Sequence, residues 1–280
     1  MATVKEIMTT QVLAVSNDST LQVAARFMKT QKLGSLLVQK AKEYIGILTE
    51  RDIVQKAIAL DLPSDATRVE EIMSLPLLTI DADCSVLDAT DVMAERSVRH
   101  LAVVEKKKVV GILSIRDVLR SEELPWVSIR RLMSQALFMV TRGATIREAA
   151  KLMRHNKIGS LLVSGRRRQQ RSEPFYVGNG KEINGILTET DIIRKVVAEG
   201  LNPLMIPVEK VMSRSLTVIN TWKRAAKACD LMARNRIRHL PVTEGQKIVG
   251  MVSIRDLINP LYYAHGNLEF EQQYSGKTGR

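Results

Sequence analysis

Only two cysteines, Cys84 and Cys229, occur in the 280 residues. Two cannot form a disulfide framework, and their spacing fits no metal motif. The four histidines, His100, His155, His239 and His265, show no ligand spacing either, so no metal is implied. No apolar run approaches the roughly 18–20 residues needed to span a bilayer, so no membrane contact is expected. The opening MATVKEIMTTQ lacks a charged segment followed by an apolar one and does not read as a secretory leader, which makes the cytoplasm the expected location. A nucleophile elbow, a phosphate-binding Gly-rich loop, a metal cluster and a dinucleotide fingerprint are all missing, so an enzyme is not expected. What remains is a chain of ordinary apolar content, 45%, long enough for one large or two ordinary domains.

Acidic residues are scarce in one half only. Residues 1–125 hold 16 Lys and Arg against 18 Asp and Glu, and residues 126–280 hold 26 against 12. The net charge of +12 therefore sits in the second half, which points to a polyanionic partner met by that half. Charge carried for solubility alone is the other reading.

Four stretches of the chain align with one another. They open at Val4–Met8, Val69–Met73, Ile129–Met133 and Val208–Met212. They close at Gly46–Asp52, Gly111–Asp117, Gly185–Asp191 and Gly250–Asp256, each reading Gly, two apolar residues, Ser or Thr, two variable residues and Asp. The copies alternate in type. Repeats one and three share Gly-Ser-Leu-Leu-Val, at 34–38 and 159–163, whereas repeats two and four share Arg-His-Leu-x-Val, at 99–103 and 238–242. Asp52 and Asp191 are 139 positions apart, as are Asp117 and Asp256, but Gly34 and Gly159 are only 125 apart. A duplicated two-repeat module thus gained 14 residues between Val163 and Gly185. The expected division is a first pair over 1–122 (repeats about 1–60 and 66–122) and a second over 126–259 (repeats about 126–200 and 205–259, with a basic loop at 164–184). A tail at 260–280 follows.

Each copy reads as a βαββα unit, giving an α/β fold. A short apolar strand such as Val12–Val15 is followed by a cap at Ser19-Thr20. Leu21, Ala24, Ala25 and Met28 then fall on one helical face. Two more strands, 35–38 and 44–48, precede a helix near Glu50. So small a sheet cannot bury both faces alone, which accounts for pairing.

Ile7-Met8-Thr9, Gly-Ile-Leu-Thr-Glu-Arg-Asp at 46–52 and Arg-His-Leu-Pro-Val at 238–242 resemble the pattern of the CBS-domain family, over about residues 1–259 and four times in register. The resemblance implies pseudo-twofold pairs of units with a cleft on each side, often dimerising into a flat disc. It implies clefts that hold AMP, ADP, ATP or a related adenosyl ligand, and a regulatory role. A homodimer is expected on the same ground.

The resemblance also suggests the site. Asp52, Asp117, Asp191 and Asp256 would accept hydrogen bonds from the ribose hydroxyls. Thr49, Ser114, Thr188 and Ser253, with the helix start behind them, would meet a phosphate. The same spacing is that of a capping box, with Asp at the place of the usual Glu or Gln, and both roles can coexist. Arg51, Arg116 and Arg255 precede the Asp in three copies and could neutralise phosphates or lie solvated, while repeat three has Thr190 there. Arg99-His100 and Arg238-His239 stand where basic residues reach ligand phosphates in the AMP-activated kinase gamma subunit, which the chain resembles here. With Gly34-Ser35 and Gly159-Ser160 at the same place in the odd repeats, each pair is expected to have an asymmetric cleft.

The basic half carries Arg166, Arg167, Arg168 and Arg171 in the inserted loop, with Phe175 and Tyr176 after them, and Lys223, Arg224 and Lys227 in repeat four. Arginine with aromatics is the composition of an RNA-binding surface, so contact with ribosomal RNA or the ribosome, restraining translation or promoting dormancy, is expected. The alternative is a nucleotide-responsive subunit of a separate enzyme or transporter that binds no RNA.

Overall fold

In the computed structural model, residues 2–121, 124, 126–165, 175–178, 180–258 and 261 are described. The repeats are built alike. Repeat one runs α1 (Val4–Ile7), β1 (Ala14–Ser16), α2 (Leu21–Gln31), β2 (Ser35–Lys40), β3 (Glu43–Thr49) and α3 (Glu50–Asp52), which continues as a wider turn over Ile53–Ala57. Repeat two has α4 (Val69–Ile72), β4 (Thr79–Asp81), α5 (Val86–Glu95), β5 (His100–Glu105), β6 (Lys108–Ser114) and α6 (Ile115–Ser121). Repeat three has α7 (Ile129–Leu132), β7 (Met139–Thr141), α8 (Ile146–His155), β8 (Ser160–Ser164), β9 (Phe175–Val177), β10 (Lys181–Thr188) and α9 (Glu189–Ile192). Repeat four has α10 (Val208–Val211), β11 (Ile219–Asn220), α11 (Ala225–Asn235), β12 (His239–Glu244) and β13 (Lys247–Ser253). The inserted residues supply β9, an extra strand antiparallel to β10.

Within each repeat the first strand pairs parallel with the second, and the second antiparallel with the third. The parallel step needs a crossover, which the amphipathic helix provides. In repeats one to three that helix is entered through a side-chain cap: Thr20, Ser85 and Thr145 accept from the backbone three residues on, whereas α11 of repeat four starts at Arg224 without one. Its buried face is the one the periodicity gives, with Leu21, Ala24, Ala25 and Met28 fully buried.

The described residues form two compact units that draw on alternate repeats. One comprises residues 13–78 and 137–216, from repeats one and three; the other comprises 1–12, 79–136 and 217–280, from repeats two and four. In the first, Leu21, Met28, Val54 and Ile58 share one apolar core with Ile146, Met153, Val196 and Val197. Arg26 Nε donates to the Ala198 carbonyl at 3.0 Å and an Arg154 guanidinium nitrogen to that of Gln55 at 3.0 Å, tying the helices together. In the second, α6 packs on α5 and α11.

The opening helix of each repeat docks on a neighbouring repeat's sheet. The chain just after α1 pairs with β6, where Thr9 and Ile112 exchange backbone bonds of 3.0 and 2.9 Å. Ser74, after α4, pairs with Ile47 of β3; Ser134 with Met251; and Ser213 with Ile186. The signature glycines permit this approach. A Cβ on Gly46 would lie 2.8 Å from the Ser74 carbonyl oxygen, one on Gly250 2.9 Å from that of Ser134, and one on Gly111 3.0 Å from that of Thr9. Those positions admit no side chain without moving the docked segment.

Candidate functional site

In all four signature motifs the Ser or Thr closes onto the Asp, at the start of a helix in repeats one to three and of a turn in repeat four. Thr49 N and Oγ1 donate to Asp52 Oδ2 at 2.9 and 2.5 Å, and Ser114 N and Oγ to Asp117 Oδ2 at 2.9 and 2.6 Å. Thr188 does the same to Asp191 Oδ2 at 3.1 and 2.6 Å, and Ser253 to Asp256 Oδ2 at 2.7 and 2.8 Å. The capping reading of the sequence is thus realised in repeats one to three, and in repeat four the same bonds close a turn. It uses one carboxylate oxygen and leaves the second, Oδ1, to be decided by surroundings.

Those surroundings differ between the units. In the unit of repeats one and three, Asp52 Oδ1 accepts from Lys56 Nζ at 2.7 Å and from Ser74 Oγ at 2.9 Å. Asp191 Oδ1 accepts from Lys195 Nζ at 2.7 Å and Ser213 Oγ at 3.2 Å. Arg51 Nε reaches Glu189 Oε1 at 3.2 Å, a carboxylate that also takes Gln55 Nε2 at 3.0 Å. Thr190 Oγ1 donates to Glu50 Oε2 at 2.8 Å. Glu50 and Glu189 are buried at the join of the two repeats. Arg51 is therefore committed to a part-buried ion pair and would reach a phosphate only by leaving it.

The unit of repeats two and four is of opposite character. Ile115 and Ile254 take the places of the two buried glutamates. Arg99 is buried, and Arg99, Arg238, Arg116 and Arg255 all bear on His100. Burial first, and then the field of these four guanidinium groups, hold His100 well below its ordinary value of 6.5. The unit thus gathers both Arg-His segments and both of its signature arginines. Such a concentration of fixed positive charge favours a multiply charged anion.

Lys223, Arg224 and Lys227 are exposed, and Arg166, Arg167, Arg168 and Arg171 lie outside the described residues. Residues 127–130 run antiparallel to 221–225, with Ala225 N donating to the Val127 carbonyl at 2.9 Å and Ile129 N to that of Lys223 at 2.8 Å. This brings together Trp126 and Trp222, each 71% exposed. Arg224 lies 4.8 Å from the Trp126 ring centroid and Arg130 5.4 Å from that of Trp222. Sequence reasoning passed over both tryptophans, whose adjacency depends on the exchanged segment. It also passed over Lys56 and Lys195, although a lysine four places after the signature Asp occurs only in the odd copies.

A cavity of about 380 Å³ lies in the first unit, between residues 58–65 and 200–204, where Arg147 pairs with Asp61. It stands apart from the signature carboxylates. Among the described residues no group of three His, Cys, Asp or Glu side chains could hold a metal ion. No described helix is long and apolar enough to cross a membrane.

Comparison with known proteins places this arrangement. The CBS domain pattern matches residues 4–58, 69–123, 129–198 and 208–263. The CBS domain-containing protein CBSCBSPB2 of Arabidopsis thaliana is 25% identical over 265 residues, covering 86% of this chain and 49% of its own. YhcV of Bacillus subtilis, also a CBS domain-containing protein, is 36% identical over 118 residues, covering 42% of this chain and 84% of its own. The chain spans about half the length of the Arabidopsis relatives it matches. Among solved structures, protein MJ1225 of Methanocaldococcus jannaschii superposes with a TM-score of 0.73 at 20% identity, over 92% of this chain and 99% of that one. An uncharacterized conserved protein of Pyrococcus horikoshii gives 0.60 at 21%, over 93% and 100%. CBS domains generally bind adenine nucleotides in regulatory roles, and such proteins are typically not catalysts. With four matches covering most of its length, the chain belongs to the CBS-domain family.

Proposed function

We propose that the chain is a non-catalytic cytoplasmic sensor of adenine nucleotides. AMP, ADP, ATP or a related adenosyl ligand is held by its phosphates at Arg99, His100, Arg116, Arg238, His239 and Arg255. Asp117 and Asp256 accept the ribose hydroxyls. The observation that carries this reading is the gathering of four guanidinium groups around His100 in one unit whose two signature motifs each close Ser onto Asp. The fold it shares with MJ1225, a protein proposed as an archaeal homolog of g-AMPK, agrees with it. The exchange of opening helices supports the sequence-ordered pairs 1–122 and 126–259 as the covalent modules, and the chain is read as assembling with a second copy. Titration calorimetry with AMP, ADP, ATP and S-adenosylmethionine tests the reading. Saturable binding that tightens with phosphate number is expected, and absence of heat with all four would end it.

A second reading concerns output. The Trp126–Trp222 corner, flanked by Arg130, Lys223, Arg224 and Lys227, offers stacking faces beside cations, as RNA requires. The basic half would dock there on ribosomal RNA and restrain translation according to the nucleotide bound. A ligand could shift such docking only through unequal affinity for two states. Gel shifts with ribosomal RNA should weaken steeply with salt. No shift, together with a stoichiometric enzyme or transporter recovered from native lysate, would favour the regulatory-subunit alternative.

A further inference from the structure

We propose that the cavity of the first unit is a second ligand site, for a small zwitterion with an apolar body: an amino acid such as leucine, or an apolar dipeptide. The site is separate from the nucleotide reading, since it uses neither the signature carboxylates nor the basic unit.

The cavity is formed where repeats one and three meet. Its volume of about 380 Å³ falls in the range of small-ligand pockets. The walls are the segments that leave the last helix of each repeat, 61–65 and 200–204, and the second residue of each amphipathic helix, Gln22 of α2 and Arg147 of α8. Both segments are fixed by backbone bonds. Gln22 N donates to the Ser64 carbonyl at 2.8 Å and Arg147 N to that of Pro203 at 3.2 Å. Leu62 N and Leu201 N are tied back to Ala57 and Val196 at 3.1 and 3.0 Å. The helix starts are thus already satisfied, and the cavity is held open by its own frame.

Equivalent positions of the two repeats differ in the way a ligand would need. Position 200 is a glycine at φ +69°, where a Cβ would strike Gln22. Repeat one places Asp61 there, in the same left-handed conformation at φ 65°. Asp61 takes two cations from repeat three, a guanidinium nitrogen of Arg147 and Lys151 Nζ, the latter at 3.7 Å. One positive charge is left over. Arg147 Nε is also buried without a hydrogen-bond partner. On the other wall Asp65 is exposed and, among the described residues, makes neither a side-chain hydrogen bond nor an ion pair. The cavity therefore offers one unspent charge of each sign.

The rest of the lining is apolar. Eight large apolar side chains are exposed among the described residues. Five of them line this cavity or adjoin its lining in sequence: Val23, Leu60, Leu201, Leu204 and Met205. Exposure so concentrated marks a binding surface. A purely anionic ligand would meet Asp65, a purely cationic one the surplus of Arg147 and Lys151, and a neutral one would leave both charges unused. A zwitterion sets its carboxylate at Arg147, its ammonium at Asp65 and its side chain on Leu201 and Leu204.

The test is calorimetry and ligand-observed NMR on the full chain with leucine, phenylalanine and dileucine. Leucinamide, which lacks the carboxylate, and isocaproate, which lacks the amine, serve as controls. Saturable binding of at least one zwitterion is expected, and whichever binds tighter separates a free amino acid from a peptide. Each control should bind roughly tenfold more weakly, the size of one charge-assisted bond. R147M should have the same effect. It also breaks the pair with Asp61, so D65N, at an exposed position, supplies the variant that keeps its wild-type melting temperature. No binding of any zwitterion, equal binding of either control, or a folded D65N chain with wild-type affinity would overturn the site.

Discussion

Arg99 and Arg238 differ from the exposed cations in what surrounds them, since they share one unit with His100, Arg116 and Arg255. Each is expected to hold phosphate rather than base. Arg238→Ala should weaken ATP by roughly tenfold, the size of one charge-assisted hydrogen bond, and leave adenosine unchanged. Competition binding with the two ligands separates these outcomes. His100 gives a second handle. Its folded value lies below 6.5, so the unfolded chain takes up a proton first as pH falls. Its contribution to stability is therefore present above that value and is lost as pH drops through it. Melting temperature should fall more between about pH 7.5 and about pH 5.5 for the wild type than for His100→Gln. A bound phosphate reverses the local field, so ATP affinity should rise over the same descent. Cys229 is held in a different way: burial alone pushes its thiol up to about 12. It should resist a thiol reagent at about pH 8 until the chain is unfolded, because the thiolate is the reactive species.

At the scale of the element, the capping Ser/Thr and Asp were legible from spacing alone, because a cap is made within one turn of chain. The amphipathic face of α2 was legible for the same reason. What the spacing could not reveal was the glycine's purpose. Gly46, Gly111, Gly185 and Gly250 read as part of a motif, yet they serve the docking of a segment from another repeat, a contact dozens of residues away. Ser74 and Ser213 became site residues by the same route. Gly111→Val should force the chain at Thr9 off β6 and destabilise the protein by about 1–3 kcal/mol, as overpacking does. Denaturant unfolding followed by circular dichroism would measure this, with an exposed-glycine control such as Gly143→Val staying near wild type. A Gly111→Val chain as stable as the control would mean that the docked segment moves aside freely.

At the scale of the whole molecule, the sequence displayed two alternating repeat types, and the structure turns that alternation into two units. Repeats one and three share a core, with buried glutamates and lysine-capped carboxylates; repeats two and four share the cations. The choice of partner was not legible, because identical periodicity permits a repeat to pack on either neighbour. The bias of charge toward residues 126–280 was legible, but its meaning was not: part of it, as at Arg142 with Glu209, is spent in ion pairs inside a unit. The exposed remainder beside Trp126 and Trp222 should bind single-stranded RNA with a steep salt slope. Replacing both tryptophans by Ala should weaken it by about 1–3 kcal/mol for each lost stack, measured by fluorescence titration.

The claim from which the rest follows is that the basic unit holds an adenine nucleotide by its phosphates. Calorimetric titration of the chain with adenosine, AMP, ADP and ATP addresses it directly. The account predicts saturable binding that strengthens along that series and weakens with added salt. Equal binding of adenosine and ATP, or no binding of any member, would contradict it.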